Sequence, residues 1–335
     1  MKKNKKEKNV KTNIYLEDDY IKLKSLLLKY KIANKKICLI IDKGIKGKVV
    51  KEVVELFKEN NSIFIYKDKP KEKKKNLTTL NKILKLLSIN NFENNDVIVG
   101  FGGGNIIDLS GVATNLYNKQ LDLILLPSTL SAMVNNSVMY DFSLNCEDKV
   151  NAISVSLSPL FVYDNLFLLN YLNYDKYILG IVSVLRLALI KDKKLFQFVD
   201  KRKEDIVDKN INVLHYIINQ IIKIKKYYYK LKLNHNKEFE NYNFAIDIAY
   251  LIQEMEHLNF KYDYALAISI IKLNKIKEFK NSNVINELLK YFKFDIDYKK
   301  DVIKEYVNNY KDNKKVSITL LSKIGKAYKY NYAIK

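Results

Sequence analysis

The chain has 335 residues, and at about 150 residues per domain that length suggests two domains. Hydrophobic residues at 48% and charged residues at 29% place it among globular chains, and nine glycines and three prolines exclude a collagen-like or proline-rich linker protein. The net charge of +22 comes almost wholly from lysine, since Arg186 and Arg202 are the only arginines, and this argues against specific nucleic-acid reading, which favours the planar arginine fork.

Residues 1–12 read as a solvated basic tail. Ile37 to Ile41 is a short apolar run ending at Asp42, which suits a buried parallel strand. Val49, Val50, Val53, Val54 and Phe57 follow at helical spacing, and Ser62 to Tyr66 is a second strand. Lys67 to Lys75 reads as a charged, solvated loop, and Leu77 to Leu87 as helix. Asp96 to Phe101 is a third strand, followed at once by Gly102, Gly103 and Gly104. Ile106 to Tyr117 is helical, and Leu121 to Leu126 is a fourth strand closed by Pro127. This alternation predicts a doubly wound, Rossmann-like parallel α/β sheet over residues 13–165.

Strand patterns nearly vanish beyond that point. Tyr177 to Ile190 is a buried helix carrying Arg186, too short for the roughly 18–20 residues of a membrane span. Apolar residues then recur at three- and four-residue steps from Val207 to Ile222, Phe244 to Met255, Ala265 to Ile276 and Val284 to Phe292. Residues 166–335 are therefore expected to form an all-helical domain. The N-terminal residues show no apolar secretory core, and two cysteines, Cys38 and Cys146, cannot build a disulfide scaffold. A cytoplasmic protein without a membrane partner is expected.

Three glycines between a strand and a helix offer backbone N–H groups and a positive dipole end to an anion. The spacing is not that of the common dinucleotide fingerprint, and a plain tight turn stays open as an alternative.

The longer segment Gly102 to Val138 (GGGNIIDLSGVATNLYNKQLDLILLPSTLSAMVNNSV) resembles the 3-dehydroquinate synthase family, through Asp108, Gly111, Tyr117 and Pro127-Ser128-Thr129-Leu130. Asn145, Asn151 and Pro159, the stretch Gly180 to Phe196, Asn243-Phe244, Leu266 to Ile270 and Lys314 to Ala327 extend the resemblance from about Lys36 to Ala327. It implies an NAD-binding α/β domain followed by a helical metal- and substrate-binding domain. It also implies a carbon–oxygen lyase of the shikimate pathway, supplying aromatic amino acid biosynthesis. Such an enzyme uses NAD and zinc or cobalt to turn a seven-carbon keto-acid sugar phosphate into 3-dehydroquinate with release of phosphate.

Carried over by position, the resemblance implies cofactor contacts at Asp42, Glu72, Lys75, Gly103, Gly104, Asp108, Ser128 and Thr129. Each also has a plainer reading: Asp42 as a turn cap, Glu72 and Lys75 as members of a charged run, Asp108 as a first-turn dipole partner. The family's metal ligands, one Glu and two His, fall at Ser183, Ile246 and Tyr262, and a further family His falls at Tyr250. A catalytic zinc site needs about three protein donors. The one local cluster with metal-like chemistry is His257 with Glu254, Glu256 and Asp263.

On the substrate side, Asp141 stands where the family has a lysine and Asn135 where it has an Asp. Arg186, Lys225, Asn243 and Lys315 match catalytic positions, although Lys225 and Lys315 equally suit surface lysines. The expected ligand is a small anionic molecule, with no specific nucleic acid, and a homodimer is the oligomer carried forward. The readings left open are the family reaction and a catalytically degenerate, NAD-binding or scaffold protein of the same fold. An NAD-dependent polyol dehydrogenase of similar architecture would also need metal ligands that are missing here.

Overall fold

A computed structural model of the chain describes residues 12–69, 71–136, 138–294, 297–309 and 315–333. The expected tail, apart from Thr12, lies outside these residues. Thr12 itself is buried and donates its hydroxyl to the Pro159 carbonyl (2.8 Å), so it belongs to the folded body.

Six parallel strands form the central sheet, in the order β1-β8-β5-β4-β2-β3. They are β1 (Asn13–Glu17), β2 (Lys36–Asp42), β3 (Ser62–Asp68), β4 (Val97–Gly102), β5 (Asp122–Pro127) and β8 (Phe161–Asn165). The middle strands β2, β4 and β5 are buried on both faces, which is why they read as unbroken apolar runs. Helices α1 (Ile21–Lys29), α2 (Gly47–Lys58), α3 (Leu77–Ile89) and α4 (Gly104–Leu116) cover the sheet, and two apolar clusters fill the space on its faces. Strand order reverses between β2 and β4, and in open α/β sheets ligands bind at the carboxyl ends of the strands beside such a point.

Between α5 (Leu130–Asn136) and β8 the chain forms an antiparallel hairpin, β6 (Asp141–Cys146) with β7 (Lys149–Ser156). The hairpin docks on α4 because Gly111 has no side chain. A Cβ there would lie 2.1 Å from Cγ of Phe142, whose ring is fully buried.

The second part of the chain is mostly helical and surrounds α7 (Leu179–Lys191), which is buried on every side. Around it lie α10 (Ile211–Leu233), α11 (Ile246–Met255), α12 (Tyr262–Lys275), α13 (Ser282–Tyr291), α14 (Val302–Asn308) and the short α6 (Tyr174–Tyr177), α8 (Lys193–Lys201) and α9 (Lys203–Val207). The expected all-helical composition needs one amendment. A second antiparallel hairpin, β9 (Lys315–Lys323) with β10 (Lys326–Ala333), packs its apolar residues Val316, Ile318 and Leu320 into the helical core. Among the described residues no helix is long and apolar enough to cross a membrane.

Candidate functional site

A cavity of about 1070 Å³ opens between the carboxyl ends of β2, β4 and β5 on one side and α7, α11 and α12 on the other. That slightly exceeds the roughly 300–1,000 Å³ of ordinary small-molecule pockets. Asp42, Glu72, Lys75, Gly103, Gly104, Asp108, Ser128 and Thr129 all line it.

On the sheet side, Gly103 precedes the first turn of α4 in extended conformation, and among the described residues no side chain caps that helix start. The first N–H groups of a helix have no partner within it, so this end presents donors and positive potential to the cavity. Asp42 accepts the Gly44 N–H (2.7 Å), as a turn cap does. Ser128 is tied to β4 through its N–H on the Gly102 carbonyl (2.9 Å), and the Thr129 hydroxyl oxygen accepts the Ala132 N–H (3.2 Å) at the start of α5.

The centre of this wall is a buried ion pair. Lys75 Nζ lies 3.0 Å from Asp108 Oδ2 and 2.7 Å from Asn151 Oδ1. Asn136 donates to the other Asp108 oxygen (3.3 Å). Asn145 donates to the Glu72 carbonyl (3.1 Å), and its own Oδ1 accepts the Asn151 N–H (2.9 Å). Burial pushes the Asp108 carboxyl above its ordinary value and Lys75 offsets only part of that. Burial alone would pull Lys75 down, but the Asp108 and Glu72 carboxylates outweigh it and hold the ammonium above its usual value. The expectation of a solvated lysine in a charged loop is therefore corrected for Lys75, which is 5% exposed.

The helical wall is polar and aromatic. Arg186 is 2% exposed, donates to the Tyr242 carbonyl (2.5 Å) and stands 4.7 Å from the centre of the Tyr242 ring. Among the described residues its buried Nε has no partner. Asn135 donates to Ser183 Oγ (3.0 Å), and Ser131 donates to Asp263 Oδ1 (3.0 Å), joining α5, α7 and α12. Burial pushes the Asp263 carboxyl up to about 6 and the Tyr250 phenol up to about 12. Tyr250 and Tyr262 lie side by side, ring centres 5.7 Å apart. Gly180 lets α7 meet α5 closely, since a Cβ there would sit 2.4 Å from the Ser131 nitrogen.

Residues 43–178 match the family model of the N-terminal region of 3-dehydroquinate synthase. The 3-dehydroquinate synthase of Pelagibacter ubique is 28% identical over 309 residues, covering 86% of this chain and 82% of that protein. The chain is similar to the 3-dehydroquinate synthase family. The fold agrees with this likeness. A 2-deoxy-scyllo-inosose synthase, solved with carbaglucose-6-phosphate, NAD+ and Co2+, superposes with a TM-score of 0.84 at 19% identity, over 97% of this chain and 94% of that one. The 2-epi-5-epi-valiolone synthase of Streptomyces hygroscopicus, solved with NAD+ and Zn2+, gives 0.83 at 13% identity, over 98% and 94%.

The family's metal does not fit the residues that stand at its ligand positions. Ile246 lines the cavity without a donor atom. Ser183 is fully buried and its oxygen is already engaged by Asn135. The Tyr262 phenol lines the cavity, but burial holds its pKa well above the usual value, so it keeps its proton. Among the described residues no group of three or more His, Cys, Asp and Glu is placed to hold a metal ion. His257 and Asp263 have different surroundings. The His257 ring pairs with Asp148 (2.7 Å) at the surface, whereas Asp263 faces the cavity.

Of the four residues at the family's catalytic positions, Arg186 and Asn243 line the cavity. Lys225 does not, and it is not a surface lysine either. It is fully buried, donates to the carbonyls of Val134 (2.8 Å) and Asn135 at the end of α5, and is pushed down to about 7 by burial and then by Arg186. Lys315 begins β9, and its side chain lies outside the described residues. Asp141 faces the cavity with its charge met by Lys232 (2.5 Å). Sequence reasoning missed Ser131 and Asn136 of α5 and Tyr242, which lies shortly before α11, ordinary residues that only tertiary packing brings to the cleft.

Proposed function

We propose that this chain binds NAD in the cleft and does not perform the family's metal-dependent turnover. A single contrast supports this reading. The eight cofactor-position residues share one cavity around an uncapped helix start, while the three metal positions hold serine, isoleucine and tyrosine. The NAD+ in both solved neighbours supports the cofactor half. When bound, the nicotinamide ring supplies a hydride acceptor. Gly103, Gly104 and the start of α4 hold the pyrophosphate. Asp42 accepts from the ribose, and the Glu72–Lys75–Asp108 network faces the adenosine side. Arg186 and Asn243 then meet a small anionic ligand on the opposite wall, and the two tyrosines keep water out.

The test is a thermal-shift titration with NAD+ at millimolar concentration, since a ligand that binds only the folded state raises its melting temperature. Gly104→Val should remove the shift, because a branched side chain there would stand where the bare backbone lets an anion approach the start of α4. No shift in the unmodified chain would end the cofactor reading. Phosphate release from the seven-carbon sugar phosphate, with NAD and zinc or cobalt, would end the non-catalytic one.

A further inference from the structure

The β6–β7 hairpin is held from both walls of the cavity. On the sheet side, the Asn145 N–H donates to the Lys75 carbonyl (2.7 Å), and Lys75 donates to the Asn151 side chain (2.7 Å). On the helical side, Glu254 of α11 accepts the Val150 N–H on Oε1 (3.1 Å) and pairs with Lys149 through Oε2 (2.9 Å). Asp148 meets His257 just beyond α11.

These anchors are unequal. Lys149 is 73% exposed, and both His257 and Asp148 are open to water, so those pairs are screened and weak. The Glu254 carboxylate is 21% exposed, and its bond from the Val150 amide is charge-assisted, the stronger kind. Val150 lines the cavity, and the next residue, Asn151, adopts a left-handed backbone with φ of 52°. Fixing Val150 therefore fixes where the Asn151 side chain meets Lys75. Glu254 itself does not line the cavity.

We propose that Glu254 is a positioning residue for the cofactor wall. It acts through Val150 and Asn151 on the Lys75–Asp108 pair, so the hairpin is a strap that slows release of a dinucleotide bound beneath it. The proposal rests on the dinucleotide reading above. It assigns Glu254 no contact with cofactor or substrate.

The experiment uses the full chain and two variants. Glu254→Gln keeps an acceptor for the Val150 N–H and loses the ion pair, whereas Glu254→Ala loses both. Two quantities are read: amide exchange at residues 149–151, and the dissociation rate of NADH followed by its own fluorescence. Glu254→Ala should abolish Val150 protection and speed NADH release about tenfold, the effect of losing one charge-assisted bond. Glu254→Gln should preserve protection and change release no more than about threefold. A merely structural role would not produce that rescue. Equal release rates in the unmodified chain and Glu254→Ala, or an unprotected Val150 amide in the unmodified chain, would overturn the proposal. Should Glu254→Ala not fold, Val150→Pro, which deletes the donor instead of the acceptor, is compared with the unmodified chain by NADH release alone. Failure of the unmodified chain to bind NADH would remove the cofactor reading and the retention role with it, while amide exchange would still decide whether Glu254 anchors the hairpin.

Discussion

Lys75→Met tests the buried pair on which the cofactor wall is built. The two side chains are only 6% and 11% exposed and their charged atoms are 3.0 Å apart. Removing the cation leaves the Asp108 carboxylate with the Asn136 amide and the Ser143 N–H as partners. Breaking one side of such a pair costs about 3–5 kcal/mol, because the remaining charge stays buried and uncompensated. Replacing both residues, as Lys75→Met with Asp108→Leu, removes that penalty. It still takes a donor from Asn151, which keeps the Ser143 hydroxyl (2.5 Å), and an acceptor from the Asn136 amide and the Ser143 N–H, so about 2–3 kcal/mol should be lost. The double variant should therefore be more stable than Lys75→Met alone. Urea unfolding with an unchanged slope is the assay. The sign of the pH effect is fixed as well. Without Lys75 the Asp108 pKa rises further, and protonation then relieves the buried charge, so the loss in Lys75→Met should be smaller at pH 5 than at pH 8. Single losses below about 1 kcal/mol, or strictly additive ones, would show that the pair is solvated and the wall is not built as argued.

Three further outcomes are expected. Asp263, at about 6 in the fold against an ordinary 3.8, binds more protons folded than unfolded between those values. Its contribution is thus fully present below about pH 4 and lost as pH rises through 6, and the stability difference between the unmodified chain and Asp263→Asn should change by about 2–3 kcal/mol over that window; a flat difference would refute the burial of this carboxyl. Gly111→Ala should cost about 3 kcal/mol through collision with Phe142, with part recovered by adding Phe142→Leu, and denaturation of the pair shows whether the hairpin docks there. Ser183→Glu, Ile246→His and Tyr262→His made together should create zinc affinity measurable by calorimetry, with ligand-free stability lowered by about 1–3 kcal/mol per new buried polar group. No gain in zinc affinity would mean the three positions do not face one point.

The sheet was legible where burial was complete. Ile37 to Ile41 and Val97 to Phe101 are apolar without a break because helices cover both faces, and the glycines and charged residues that bound these short runs mark them as strands. The β6–β7 hairpin was not legible. It is half exposed, its cavity-facing positions are Asp141, Ser143, Val150 and Asn151, and its register shifts near the turn. The final hairpin did carry a signal, since Val316, Ile318 and Leu320 alternate with Ser317 and Thr319 at the strand period. Lys225 was also readable in principle. It falls seven residues after Ile218, on the stripe of Ile221 and Ile222, so helical geometry alone puts it inside. Lys75 had no such mark, because a charged run of lysines hides the one that turns inward.

The two walls of the cleft differ in what they demand of the sequence. The cofactor wall is made from strand ends, a glycine turn and a helix start, so much of its binding capacity is backbone. Such a wall tolerates side-chain change, since the backbone contact of Ser128 with Gly102 does not depend on the side chain at 128. A metal site is different, because each donor is a side chain on a separate helix and removing one leaves an incomplete set. Once a donor is gone, the other polar positions are buried liabilities, and stability favours filling them with groups that satisfy one another. In this chain the Asn135–Ser183 and Ser131–Asp263 bonds, the paired tyrosines and the apolar Ile246 have that character. On the proposed reading, the backbone frame for a dinucleotide is kept where the side-chain donors for a metal are not.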